Sequence, residues 1–382
     1  MSTLLATRCA SSLVACFALA CGCSATTLGN PDGAGSEPDA ASPSIDGALV
    51  ADAIVVPPEQ MEQWVWVPIP EMVCGDGSPA GVGVRFTAAS RNLVIWFQGN
   101  GVCYDLKTCA AFGNLLVGMG PDPLNHMWWG DTNQGQRGIF DRDDPTNPFR
   151  SDNFVVLPHC GVDGHTANKV SSYPLLPVYQ QRGYRNTTEA LRRIRATFPD
   201  ASRVVVSGFS AGGIGATANY HQIAAAFESL GKPSPFLIAD SGPLMRAPYL
   251  SEIARNDLRV GWGLDDTVYQ VCSECVVEGP GAAYRAIATR HPGVRQSVIS
   301  SYADTVSGNL YRLLNYDINF IDGDRFRRGL LDLAAGNPQL EVFYFEGDRH
   351  GALPFRLADT PGLVEFLNAQ LSGDPTWQSV IP

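Results

Sequence analysis

The chain has 382 residues and a formal net charge of −11, with 17% of its residues charged. No cluster of Lys and Arg stands out, which excludes a nucleic-acid partner, and the acidic balance argues against a polyanion held mainly by charge. The length is large for one domain, yet α/β enzymes reach it unbroken, and no internal repeat or second shift of composition divides the chain.

Arg8 precedes an apolar run from Cys9 to Ala20 that ends in small residues. Residues 1–23 therefore read as a signal peptide, too short to span a membrane. Ala18-Leu19-Ala20-Cys21 resembles a bacterial lipobox, although a larger aliphatic residue usually stands where Ala18 does. Cys21 would then carry a lipid, and that anchor would be the only membrane contact; the alternative is cleavage between residues 20 and 25 and full secretion. Residues 24–57 are dominated by Gly, Ala, Ser, Pro and Asp and read as a disordered tether. Residues 58–382 read as one catalytic domain.

Within it, 64–69 and 82–87 look like early antiparallel strands. The continuous apolar runs 92–98 and 153–158 read as buried central strands. A helix is expected over 187–198, capped by Asn186 with Glu189 three residues on. Val204 to Val206 form a strand that enters Gly208-Phe209-Ser210-Ala211-Gly212, and an Ala-rich helix follows to about residue 230. Strands at 236–239, 296–300 and 340–345 and a helix at 358–371 complete the set. The alternation predicts an α/β-hydrolase-like fold, with a mostly parallel central sheet and helices on both faces.

Six cysteines remain beyond the signal segment, an even count that reads as disulfides in an exported domain. Local spacing favours Cys103–Cys109 and Cys272–Cys275, leaving Cys74 with Cys160; the count alone does not choose among pairings. Cys272-x-x-Cys275 lacks the second ligand pair of a zinc site, and His159 and His165 lack carboxylate support. No metal and no cofactor is expected.

The Gly-x-Ser-x-Gly turn between a β-branched strand and a helix is the nucleophile elbow of serine hydrolases. Gly208 and Gly212 must lack a Cβ for so sharp a turn to close, and Ser210 is held in a strained conformation. The Ala211 amide at the helix start faces charge that develops on a substrate oxygen. Only His291 and His350 lie far enough downstream to be the base. His350 sits in a polar loop between Gly347 and Gly351, just past a strand, whereas His291 sits at an expected helix end. Asp304 follows the preceding strand and is the chosen acid, with Asp240, Asp265 and Asp266 as rivals. The loop Gly99-Asn100-Gly101-Val102-Cys103 offers the amides of Gly101 and Val102 as further oxyanion donors.

Four stretches together resemble the pectin acetylesterase family, which includes the animal carboxylesterase Notum. They are VIWFQGNGVCYDLKTC, FVVLPHCGVDGHTAN, VVVSGFSAGGIGA, and the pair SSYADTV with FEGDRHG. The resemblance implies Ser210, Asp304 and His350 as the triad and the amides of Gly101, Val102 and Ala211 as the oxyanion hole. Val102 stands where the family usually has Trp, and Asn100 and Phe209 also depart from its pattern, so these positions and His165 are pocket candidates. The expected activity is a monomeric serine carboxylesterase acting on O-acyl, chiefly O-acetyl, esters of a polysaccharide or a small ester. Alternatives are a lipase or protein-lipid deacylase on the same triad, a peptidase, and an inactive binding protein on a hydrolase scaffold.

Overall fold

A computed structural model of the chain describes residues 52–382 except 111–117, 121, 128–135 and 317–322. The signal segment, Cys21 and most of the tether lie outside the described residues. The fold begins earlier than the 24–57 tether allows. Ile54 is buried, and its N–H donates to Thr197 Oγ1 at 2.8 Å.

The strands are β1 (Val65–Val73), β2 (Pro79–Arg85), β3 (Asn92–Phe97), β4 (Asn153–Leu157), the small hairpin β5 (Lys169–Ser171) and β6 (Tyr179–Gln181), then β7 (Arg203–Phe209), β8 (Phe236–Asp240), β9 (Gln296–Ser301) and β10 (Leu340–Phe345). The main helices are α1 (Gly183–Thr197), α2 (Ala211–Glu228), α3 (Glu252–Trp262), α4 (Ala283–Arg290), α5 (Thr305–Asn315), α6 (Gly323–Ala335) and α7 (Leu363–Ser372). Eight strands form one sheet in the order β1-β2-β4-β3-β7-β8-β9-β10. β1, β2 and β4 pair antiparallel, and every pairing from β4 to β10 is parallel.

The apolar runs explain the sheet's centre. Val204, Val205 and Val206 are at most 5% exposed, and each such burial contributes roughly 1.5–3 kcal/mol. Successive side chains of β10 point to opposite faces. Phe343 packs on Phe366 of α7, whereas the Tyr344 hydroxyl donates to the Leu330 carbonyl of α6, so helices cover both faces. Among the described residues no helix is long and apolar enough to cross a membrane.

Two local readings are corrected. Asn186 is not a cap: α1 starts at Gly183, and Asn186 lies one turn inside it, bonding both the N–H and the carbonyl of Val73 on β1. The helix start is instead held by Asp163 Oδ2, which accepts from Gly183 N–H at 2.7 Å. The closing helix begins at Leu363 rather than 358, after a short 3-10 turn at Leu357–Asp359.

The sheet order reverses at β3, which lies between β4 and β7. In open α/β sheets ligands bind beyond the carboxyl ends of the strands at such a switch point. The loop after β3 and the elbow after β7 meet there.

Candidate active site

β7 ends at Phe209, and Ser210 follows with φ 59° and ψ −124°. That backbone region is sparsely populated by residues with a Cβ, and it persists only where the surroundings impose it. Here the Ser210 N–H donates to the Asp240 carbonyl at 2.8 Å, and its carbonyl accepts from Gly213 at 2.9 Å. The flanking glycines are needed for close approach. A Cβ at residue 212 would lie 1.9 Å from the Phe97 carbonyl oxygen, and one at 208 would lie 2.2 Å from that of Gly212. Gly99 is pressed equally close, 2.1 Å from the Phe209 carbonyl oxygen for an added Cβ. The exits of β3 and β7 are therefore in backbone contact, and loop 99–102 lies against Ser210.

Asp304 and His350 come from the next strands along the sheet. Asp304 caps α5, accepting from Val306 N–H at 3.0 Å, Ser307 N–H at 2.9 Å and the Ser307 hydroxyl at 2.9 Å. Its carboxylate also meets His350 Nδ1 at 3.0 and 2.8 Å. The helix N-terminus and these donors stabilise the charge of a fully buried carboxylate. Because that carboxylate only accepts, Nδ1 carries the proton and Nε2 keeps its lone pair. The imidazole is 17% exposed and rests on the Phe209 ring at 4.8 Å between centroids. Among the described residues no hydrogen bond joins Ser210 Oγ to His350; such pairs often tighten only around substrate.

The rival carboxylates have other roles. Asp240 Oδ2 accepts from the amides of Ala352 and Leu353 at 2.9 and 2.7 Å, and Oδ1 from the Ser241 hydroxyl. It anchors the loop that carries His350 and does not face the imidazole's Nδ1. Burial pushes its acid up to about 6 against those three donors. Asp265 pairs with Arg259 at the surface, and Asp266 lies in the adjoining short 3-10 turn. The rival base His291 has both ring nitrogens engaged, by Glu228 Oε1 at 2.8 Å and by His221 Nδ1 at 2.9 Å.

The amides of Val102 and Ala211 donate to nothing among the described residues. The Gly101 amide is taken by its neighbour's side chain, Asn100 Oδ1, at 3.0 Å. Two amides thus stand ready beside Ser210, and a third is occupied by Asn100. The predicted disulfides Cys74–Cys160, Cys103–Cys109 and Cys272–Cys275 are all present. The middle one ties the end of the loop, and the Cys103 carbonyl accepts from both Trp262 Nε1 and Gln181 Nε2.

Among the described residues, His165 lines none of the cavities. It is buried under α2, where a Cβ on Gly215 would lie 2.7 Å from its Cδ2. Its Nε2 bonds the Gln98 carbonyl at 2.9 Å, and its ring packs on Phe97 and His159. Burial pushes the His165 imidazole down to about 4, so it stays neutral, and its Nε2–H supports the strand end that leads into loop 99–102. The sequence shows a histidine near the site but not which side of the backbone it serves.

An apolar cavity of about 60 Å³ lies beside the elbow. Val102 of the loop and Ile214 of α2 line it together with Leu258, Trp262, Tyr269 and Leu314. Of the other pocket candidates, Asn100 bonds the Gly101 amide and Phe209 carries the His350 ring.

A family model described as pectinacetylesterase matches residues 64–249. The chain is 27% identical over 175 residues to palmitoleoyl-protein carboxylesterase NOTUM of Homo sapiens, covering 45% of this chain and 34% of that protein. The Mus musculus protein of the same name is 27% identical over 175 residues, with 45% and 33% covered. Palmitoleoyl-protein carboxylesterase notum2 of Xenopus laevis is 27% identical over 163 residues, with 41% and 31% covered. The match thus spans about a third of the length of these relatives. The residues matched by the family model hold the loop after β3 and the elbow, while Asp304 and His350 lie beyond them. The match over the loop and elbow, together with these relatives, supports membership of the pectinacetylesterase family.

Proposed function

We propose that this protein is a serine carboxylesterase. The observation that carries the reading is the convergence of a strained Ser210 and a half-buried His350, held by the buried Asp304, at the carboxyl ends of the strands. Ser210 Oγ attacks the ester carbonyl carbon while His350 Nε2 takes its proton, and Asp304 holds the imidazole and stabilises its charge. The tetrahedral oxyanion is met by the Val102 and Ala211 amides. His350 then returns the proton to the departing alkoxide, leaving an acyl-serine that water hydrolyses by the same steps in reverse.

The acyl side is short. A cavity of about 60 Å³ is less than half of the about 150 Å³ that accommodates a benzene ring in an engineered core. That volume suits an acetyl group, which supports O-acetyl esters, on a polysaccharide by family likeness. A second reading, a longer fatty acyl group as in the relatives' names, is favoured by the largely aliphatic and aromatic lining and needs side chains to part. The three disulfides fit an exported protein. We place its catalytic domain behind a signal segment, 1–23, and a tether from residue 24 that ends before the buried Ile54, with Cys21 the lipid-bearing residue if the lipobox is used.

A fluorophosphonate probe tests the reading. It is expected to label the wild type and not Ser210→Ala, and nitrophenyl esters are expected to lose turnover as the acyl chain grows from acetyl to palmitoyl. A wild type that resists the probe, or a Ser210→Ala variant with full activity, refutes the triad; a rising preference for long chains selects the second reading.

A further inference from the structure

The esterase reading assigns two sides to Ser210. His350 Nε2 must reach the departing alkoxide, so the alcohol half of the ester lies on the His350 side and the acyl half on the side of loop 99–102. The walls on those sides differ in chemistry. On the acyl side, Val102 of the loop and Ile214 of α2 line the apolar cavity. On the other side, the loop after β10 runs through Phe355 and Arg356 into a polar cleft of about 660 Å³.

The cleft is a built feature. Its far wall, 136–146, is clamped to the His350 loop: Ile139 N–H donates to the Leu353 carbonyl at 3.0 Å. Gly138, at φ 56°, comes so near that a Cβ would lie 1.9 Å from the same oxygen. Arg137, Asp141, Asp143, Asp144 and Arg356 line it. Two of the carboxylates are pinned by one oxygen each. Asp141 Oδ1 accepts from the amides of Asp143 and Asp144, and Asp144 Oδ1 from the amide and hydroxyl of Thr146. The Oδ2 of each takes no hydrogen bond from the described residues. Phe355, 37% exposed, stands edge-on to Phe209 at 6.4 Å, and Phe209 in turn carries the His350 ring. An exposed aromatic ring therefore stands beside the support of the base, one residue before Arg356 of the cleft.

We propose that this cleft is the alcohol subsite, and that it takes an uncharged, hydroxyl-rich sugar chain rather than a polyuronate; the proposal rests on the esterase reading above. Rigid carboxylates with a spare oxygen suit hydroxyl donors, and Arg forks suit hydroxyl acceptors. An exposed ring beside them suits the apolar face of a pyranose. A volume of this size accommodates a short run of sugars. Among the described lining residues three carboxylates face two guanidinium groups, and on a chain of net charge −11 this balance repels a carboxylate on every sugar.

The test compares kcat/KM of the full chain on O-acetylated xylan, O-acetylated polygalacturonate and 4-nitrophenyl acetate. The wild type is expected to favour the xylan by about tenfold or more, with added salt narrowing the gap as repulsion is screened. Phe355→Ala is expected to lower the ratio of xylan to nitrophenyl ester by about tenfold, mainly through KM. The pair Asp143→Arg and Asp144→Arg is expected to move the polymer preference towards polygalacturonate by about tenfold. Equal or inverted preference in the wild type, or ratios that none of the variants shifts, overturns the proposal. A protein that fails on nitrophenyl acetate as well sinks the esterase reading instead. The cleft is then judged by calorimetry of unacetylated xylan and polygalacturonate with Ser210→Ala, where xylan binding lost in Phe355→Ala upholds it and no binding ends it.

Discussion

Replacing Asp304 by asparagine separates the chemistry of the triad from its architecture. In the native site the carboxylate caps α5 through two amides and the Ser307 hydroxyl, and presents both oxygens to His350 Nδ1. The asparagine side chain keeps one oxygen for the amides, and Asn is as good a cap as Asp, so the stability change is expected within about 1 kcal/mol. Opposite the imidazole the outcome differs. An NH2 group facing Nδ1 requires a lone pair there, which moves the ring proton to Nε2, where the lone pair is needed to accept from Ser210. The wrong tautomer, with the loss of the charge that stabilises the imidazolium, is expected to lower kcat by about 10³–10⁴, equivalent to roughly 4–5.5 kcal/mol of barrier. The assay is nitrophenyl acetate turnover alongside a thermal melt. A folded Asp304→Asn protein that keeps more than about a tenth of wild-type kcat refutes the assignment of Asp304 as the orienting acid.

Three further outcomes are expected. Ser210→Gly relieves the φ 59° strain and is expected to raise stability by about 1 kcal/mol while abolishing turnover, whereas Gly212→Ala, with its Cβ 1.9 Å from a backbone oxygen, is expected to cost about 3 kcal/mol or more; chemical denaturation measures both, and the opposite signs would discredit the elbow geometry. Asp240 titrates near 6 when folded against 3.8 when exposed, so its contribution is fully present below pH 4 and is lost as pH rises through 6; relative to Asp240→Asn, wild-type stability is expected to fall by about 3 kcal/mol between pH 4 and 7.5, and a flat or rising difference contradicts this. Removing Cys74–Cys160, with a sequence separation of 86, is expected to cost about 4–5 kcal/mol, against about 1.5 kcal/mol for Cys272–Cys275 with a separation of 3; urea unfolding of paired Cys→Ala variants that reverses this order would count against the chain-entropy account.

What was legible along the chain was whatever local sterics and periodicity dictate. The run Val204 to Val206, the spacing of Gly208, Ser210 and Gly212, and the apolar stretch before His350 carry their structure in consecutive residues. A β-branched run makes a buried strand, and two missing Cβ atoms permit one sharp turn, whatever lies elsewhere. Strand alternation likewise sufficed for a parallel sheet, although ends moved by a few residues because pairing partners decide where a strand stops.

Tertiary structure decided every choice between chemically equivalent residues. Asp240 and Asp304 both follow strand ends in the sequence. Only the packing of the His350 loop turns one carboxylate to its backbone amides and the other to its imidazole. Asn186 has the composition of a cap, yet Asp163, 20 residues before Gly183, holds the helix start, so the chain begins its helix a turn earlier. His165 looks like a site residue and is buried under α2, because Gly215 leaves room for its ring there. Such contacts join residues far apart in the chain, and their energies depend on distances that no local pattern encodes.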